Sequence, residues 1–241
     1  MCLIVVGLGA TPSYPLLVAA NRDEQHARPT RAAGWWPDFP EILGGRDELA
    51  GGTWLAVDRR GRLAAVTNIR DGRPRAQLRS RGALAAEFLA GDESAERYAA
   101  RAGRDGDRYG PFNLLLFDGT QLYYASNRAP ATRLGPGLHA FSNAPPGQEW
   151  PKVASAHAGA IALLDDPAPL EALFKLLAQR ASELPPDERY RSAHFIVSPV
   201  YGTRCSTVVL VDAVGDVTFV ERSFDPAGRL IGEVRERFHI G

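Results

Sequence analysis

The chain has 241 residues, 45% hydrophobic and 23% charged, with 28 acidic and 28 basic side chains and no net charge. That is long enough to bury a sizeable core, and it offers no global field to recruit nucleic acid or an anionic membrane. Two cysteines, Cys2 and Cys205, make neither a disulfide framework nor a zinc spacing.

The predicted elements open with a hairpin, strands over residues 3–8 and 16–20 around Thr11-Pro12-Ser13. The apolar run at the start is too short, and lacks the basic flank and cleavage site, for a signal peptide, and no segment approaches the ~20 apolar residues of a bilayer span. A cytoplasmic, reduced protein without an integral membrane segment is expected. Residues 34–47, with Trp35, Trp36, Pro37, Phe39 and Pro40, read as a long aromatic loop that covers the core or lines an apolar ligand pocket. A second hairpin follows, with strands over 54–57 and 63–68, and then the arginine-dense stretch Arg70-Asp71-Gly72-Arg73-Pro74-Arg75. Helical periodicity runs over 81–89 and 93–102.

Strands over 112–117 and 121–125 are joined by Asp118-Gly119, a strong hairpin signal. Two further helices, 150–164 and 170–181, end at Leu184-Pro185-Pro186. Strands over 194–197, 207–211 and 217–221 close the chain. Antiparallel hairpins at both ends with helical pairs between them predict an α+β fold, two antiparallel sheets with helices packed outside, in one domain spanning 1–241.

Cys2 is the residue with the most chemistry. Removal of Met1 would leave a thiol and a free α-amine on one residue, and an α-amine titrates near ~7.7–8.0, close enough to neutrality to serve as general base. Nucleophile and base would then sit within one residue, the N-terminal form of the activated pair. A small apolar residue in a buried strand is the other reading of the same position. Cys205 reads as structural, a small residue entering a buried strand.

Four polar clusters fall at the ends of predicted strands: Asn21-Arg22-Asp23-Glu24, Thr67-Asn68-Ile69-Arg70, Phe141-Ser142-Asn143-Ala144, and Tyr201-Gly202-Thr203-Arg204-Cys205-Ser206-Thr207. Together with Met1-Cys2, Gly44-Gly45-Arg46-Asp47 and Gly51-Gly52-Thr53-Trp54-Leu55-Ala56-Val57, they make the chain resemble, over essentially its whole length, the NRDE family, also called the transport and Golgi organisation 2 family. The resemblance implies an N-terminal-nucleophile hydrolase architecture, a four-layer αββα sandwich, with bile-salt and penicillin V amidases as its nearest enzymatic kin.

It further implies that Cys2 is the nucleophile and that Asn68 and Asn143 are the asparagines that hold the oxyanion and position the amine. Arg204 falls at the arginine beside the thiol, and Arg22 and Asp23, with Asn21 before them, at the amidases' arginine and aspartate. In the amidases those two are separated by two residues, whereas here they are neighbours. Neighbours on one strand point to opposite faces, so both could reach the thiol only if the strand has ended or bulged.

The function expected is hydrolysis of an amide or thioester of a small acyl-type molecule, with no cofactor. The alternative is a non-catalytic carrier of acyl-CoA, lipid or haem that uses the same pocket. Trp35, Trp36, Phe39 and Trp54 are candidate substrate contacts, and Arg70 a candidate clamp for a phosphate-bearing ligand. For haem, the histidines His26, His139, His157, His194 and His239 are scattered, and a lone histidine is more often structural than an axial ligand; a Cys2 thiolate could ligate the iron. No metal ligand set is expected.

Overall fold

The structure is a computed structural model that describes residues 2–69 and 78–241, with Pro186 and Asp187 as backbone only. In chain order these residues form β1 (Leu3–Leu8), β2 (Leu16–Gln25), β3 (Thr30–Trp35), β4 (Ile42–Asp47), β5 (Leu55–Asp58) and β6 (Leu63–Asn68). The helices α1 (Gly82–Ala90) and α2 (Ala95–Arg104) follow, then β7 (Phe112–Phe117), β8 (Leu122–Ser126), β9 (Thr132–Leu134) and β10 (Gly137–Phe141). The chain continues through α3 (Pro151–Ile161), α4 (Leu170–Leu177) and α5 (Pro186–Ser192) to β11 (Tyr201–Val211), β12 (Asp216–Phe224) and β13 (Leu230–His239). Among the described residues, no helix is long and apolar enough to cross a membrane.

Two compact units divide these elements. The first comprises Met1–Arg28, Pro136–Ser142 and Glu149–His239. Its sheet runs β10-β1-β2-β11-β12-β13, every pair antiparallel. Alternation along the strands decides which side chains meet the helices. Leu3 and Val5 on β1, Leu17 and Ala19 on β2, Val208 and Leu210 on β11, and Val220 on β12 pack against Ala156 and Ala160 of α3 and Leu173 and Leu177 of α4. Burial of each large side chain there contributes roughly 1.5–3 kcal/mol. The intervening residues Ile4, Val6, Val18, Val209 and Phe219 are also buried, on the helix-free face.

The second unit comprises Pro29–Gly135, Asn143–Gln148 and Ile240–Gly241. It is an antiparallel sheet in sequence order, β3-β4-β5-β6-β7-β8-β9, with α1 and α2 on one face through Leu84, Phe88, Tyr98 and Ala99 against Ala64, Val66, Leu114 and Leu116. Two glycine pairs make this packing possible. A Cβ on Gly44 would lie 2.6 Å from the Ala56 side chain, and one on Gly45 would lie 2.1 Å from the Trp54 ring. A Cβ on Gly52 would meet the Gly82 carbonyl carbon at 2.4 Å, where α1 begins.

Four sequence expectations change. The aromatic stretch 34–47 is not a loop but the end of β3, a short turn, and β4, which pair from Thr30↔Asp47 to Trp35↔Leu43. Its prolines sit only in the turn, so both flanks keep their ladder bonds. The segment 194–197 is not a strand: the His194 and Phe195 amides both donate to the Gln179 carbonyl. The helix predicted over 170–181 stops at Leu177, whose carbonyl accepts from a side chain, Asn21 Nδ2. And β2 does not end at Ala20 but runs through Asn21, Arg22 and Asp23 to Gln25, because β11 pairs with it along that whole length.

Candidate active site

Cys2 stands one residue ahead of β1. The register Leu3↔Asn21 on β2 and Asn21↔Ser206 on β11 aligns three strand ends there. The polar residues of these ends are sorted onto two faces of the sheet, with different surroundings.

On the helix face, Asn21 donates from Nδ2 to the Leu177 and His194 carbonyls, both at 2.8 Å, and accepts from Ser206 Oγ at 2.5 Å. The Leu177 carbonyl is the orphan group at the end of α4, so Asn21 serves there as a lateral cap and ties the segment after α5 to it through His194. Asp23 accepts from Thr203 Oγ1 at 2.7 Å through Oδ1, and Thr203 Oγ1 accepts in turn from the Ile196 amide at 2.9 Å. Lys152 Nζ lies 3.8 Å from Asp23 Oδ2, and neither side chain exposes any surface. Lys152 occupies the first turn of α3, the end where the helix dipole disfavours a cation. Asp23 supplies the charge that holds it.

His194 completes this layer, with Nδ1 bonded to the Leu176 carbonyl at 2.8 Å. Burial pushes its imidazole below the ordinary histidine range; the Leu176 carbonyl opposes this and the Lys152 charge adds to it.

The other face carries Arg22, Cys205, Thr207 and Glu221. The pairs Arg22↔Cys205, Cys205↔Ser223 and Thr207↔Glu221 put them side by side on β2, β11 and β12. All are buried, Arg22 to 5% and Glu221 to 2% exposure. Thr207 Oγ1 donates to Glu221 Oε2 at 3.1 Å. Extension of the β1–β2 register by one residue sets Cys2 opposite Arg22. Burial pushes the Cys205 thiol well up; the Glu221 carboxylate adds to this, the Arg22 charge opposes it, and Cys2 is close enough to contribute. Cys2 is partly exposed, and both cysteines are thiols.

β2 has therefore neither ended nor bulged at Arg22 and Asp23, and the two point to opposite faces. The bulge lies on the partner strand, between Thr203 and Cys205, with Arg204 as the inserted residue. Arg204 Nη1 donates to the carbonyls of Gln25, His26 and Arg28 at 2.9–3.2 Å, tying down the turn after β2. Burial and the like charge of Arg22 both pull this guanidinium below its ordinary value.

In the second unit, Asn68 ends β6, and its backbone carbonyl accepts from Asn143 Nδ2 at 2.6 Å. Asn113 stands next to them: it donates from Nδ2 to Thr67 Oγ1 at 3.2 Å and to the Ala144 carbonyl at 3.0 Å, and accepts from Tyr124 OH at 2.7 Å. Asn143 thus uses its amide to fix the strand end that presents Asn68.

The aromatic candidates are dispersed. Trp36 is a core residue at 3% exposure, with Nε1 donating to the Gly44 carbonyl and its ring under the Arg46 guanidinium at 4.3 Å. Trp35 stacks with Arg59 at 3.9 Å. Trp54 packs over Gly45, and Phe39, 44% exposed, meets Trp36 edge-on. Arg70 and the arginines after it through residue 75 lie outside the described residues. Among the described residues no group of three or more His, Cys, Asp or Glu side chains is placed to hold a metal ion.

Sequence reasoning missed Lys152, Glu221, Asn113 and Tyr124. Glu221 had a signal: it continues the buried alternation of Val217 and Phe219, where an apolar residue is expected. Lys152 had one too, being one of only two lysines in the chain, at an apolar position of its helix.

A family model described as Transport and Golgi organisation 2 matches residues 1–226. The chain is 34% identical to the Bos taurus Transport and Golgi organization protein 2 homolog, with 92% of this chain and 93% of that one aligned. It is 34% identical to the Homo sapiens homolog at the same coverage, and 27% identical to the Drosophila melanogaster protein over 95% of each. Among solved structures it is similar to the C2A mutant of a conjugated bile acid hydrolase from Clostridium perfringens, with a TM-score of 0.55 and 9% identity over 99% of this chain and 97% of that one. It is also similar to a Caenorhabditis elegans ortholog of N-acylethanolamine-hydrolyzing acid amidase, with a TM-score of 0.51 and 9% identity over 87% and 92%. At such identity the likeness is one of fold, two antiparallel sheets with helices in an N-terminal-nucleophile hydrolase-like fold.

Proposed function

Because this chain belongs to the Transport and Golgi organisation 2 family and has the N-terminal-nucleophile hydrolase-like fold, we propose that it is a cysteine hydrolase acting, once Met1 is removed, on an amide or thioester of a small acyl compound. The observation that carries this reading is the position of Cys2. It is a partly exposed thiol at the head of β1, in register with the buried Arg22 of the neighbouring strand. One structural neighbour is named for hydrolysing N-acylethanolamines and the other for hydrolysing conjugated bile acids, which favours an acyl amide as substrate class; a coenzyme A thioester presents the same acyl carbon.

In this mechanism the α-amine of Cys2 takes the thiol proton and the sulfur attacks the acyl carbonyl. The tetrahedral intermediate collapses to a thioester on Cys2, and the leaving amine or thiol departs with the proton held by the α-ammonium. Water then adds to the acyl-enzyme with the α-amine again as base, releasing a carboxylic acid and restoring the thiol. The Arg22 guanidinium lies on the strand position level with Cys2 by extension of the β1–β2 register. The oxyanion donor assigned by the resemblance is Asn68, and such a donor is worth on the order of 10²–10³ in rate.

The test starts with the intact mass of the purified protein, to establish that Met1 is gone. N-acyl amides and acyl-CoA are then offered, with free acid, amine and thiol measured. Hydrolysis that disappears in Cys2→Ala, with the melting transition unchanged, is expected, and Asn68→Ala should lose at least 10²-fold. An active Cys2→Ala would rule out this mechanism, and saturable acyl-CoA binding with neither thiol nor amine released from any substrate offered would favour the carrier.

A further inference from the structure

The fold leaves the Cys2 face with an acid that the sequence motif does not contain. Asp23 points away, to Thr203 and Lys152. The face instead holds Arg22 on β2 and Glu221 on β12, with the small side chains Cys205 and Thr207 of β11 between them. Arg22 and Glu221 are nearly excluded from solvent, and a buried charge persists when it faces an opposite one and is hydrogen-bonded. Arg204, from the bulge on β11, brings a second guanidinium into the range of Arg22, which sharpens the need for a carboxylate there. From β10, the other neighbour of β1, the side chain opposite Ile4 is Phe141, and His139 lies farther along, opposite Val6.

We propose that Glu221 is the positioning residue of the Cys2 site: it reaches across Cys205 and Thr207 to hold the Arg22 guanidinium on the face where Cys2 sits, the place that a neighbouring aspartate on β2 cannot take. Thr207 orients the carboxylate by donating to Oε2. Strand geometry supports the span. Strands next but one are about 9–10 Å apart and Glu221 stands two residues along from Ser223, the position level with Arg22, so the backbones are about 11–12 Å apart; an arginine and a glutamate extended toward each other over small side chains bridge that distance. The Cys205 thiol, which feels both charges at once, marks the middle of the bridge. This inference rests on the reading of Cys2 as the reactive N-terminal residue.

The experiment is a double-mutant cycle on the full-length protein with Met1 removed, read as the rate and pH profile of iodoacetamide addition, with the adduct located at Cys2 by peptide mass. Arg22→Gln is expected to slow addition at pH 7 by about tenfold. Glu221→Gln should slow it nearly as much and move its pH profile toward that of Arg22→Gln, because an unpaired guanidinium leaves the face for water. The double variant should be no slower than Arg22→Gln alone, and Glu221→Asp should recover part of the loss. A Glu221→Gln rate within twofold of the wild type or above it, or effects that simply multiply in the double variant, overturns the proposal. Should Glu221→Gln fail to fold, Arg22→Met combined with Glu221→Leu is expected to fold again, and a failure of that pair to restore the melting transition overturns it equally. Alkylation needs no turnover, so a protein that obeys the cycle yet hydrolyses nothing removes the hydrolase reading and leaves this one standing.

Discussion

Lys152 Nζ and Asp23 Oδ2 face each other at 3.8 Å with no solvent access to either side chain, and this pair ties the first turn of α3 to the strand that presents Arg22. Removing one partner of such a pair leaves a buried charge uncompensated, which typically costs about 3–5 kcal/mol, whereas removing both charges is far milder. Lys152→Met is therefore expected to be destabilised by about 3–5 kcal/mol in urea unfolding. Lys152→Met with Asp23→Asn, which keeps an acceptor for Thr203, should recover at least half of that. If the two losses add, the residues do not act as a pair.

His194 gives the stability a pH dependence of known sign. Burial holds its folded pKa below the ordinary value of 6.5, so in the window below 6.5 the unfolded chain binds a proton that the folded one refuses. The contribution is complete above pH 6.5 and is lost as the pH falls through the folded value. Unfolding free energies measured from pH 8 to pH 5 should decline over the acid half, and His194→Gln, which can still donate to the Leu176 carbonyl, should flatten that decline. Parallel curves for the two proteins would remove His194 as the source.

The two thiols should react as different species. Cys205 is 4% exposed with its pKa raised by burial, while Cys2 is partly exposed. An aromatic disulfide reagent at pH 8 should release one equivalent from the native protein and two after unfolding in guanidinium. Two fast equivalents from the native protein would mean that the β11 thiol is open to solvent.

Asn143 should act chiefly by holding β6. Its amide donates to the Asn68 carbonyl at 2.6 Å and the side chain is 2% exposed. Asn143→Ala strips that carbonyl of a buried donor, a change worth about 1–3 kcal/mol. Asn143→Asp, which sets a carboxylate against the carbonyl, should be worse. Thermal melts of the two variants rank them, and the reverse order would contradict the donor assignment.

Where strands were flanked by turn chemistry, their limits were legible. β1, β6 and β7 have the bounds that the apolar runs predict, because each is buried on both faces and so reads as an unbroken run. Charged or sparsely apolar strands were not legible. β13 alternates Glu and Arg over an exposed edge, and β3 carries Thr30 and Arg31 outward, so neither leaves a hydrophobic trace. The polar residues after Ala20 read as the end of a strand, since nothing local announces that β11 pairs with them through Tyr201.

The candidate site was legible as a set of residue types and not as an arrangement. The sequence names Arg22 and Asp23 as neighbours, but which faces they occupy depends on a register fixed by a strand nearly two hundred residues away. Glu221 lay outside every motif, and a single glutamate at the end of an apolar alternation is a signal only once its neighbours are known to be buried.

The insertion of Arg204 into β11 amounts to a half-period phase slip. In an unbroken strand Thr203 and Cys205 would point the same way; here Thr203 turns to Asp23 among the helices while Cys205 lies beside Arg22 on the opposite side. Without the slip, a chain would have to choose between the two partnerships, keeping either the anchor of its strand or the chemistry in front of it. One extra residue lets a single strand belong to both, so a deletion at position 204 would do more harm than any substitution there.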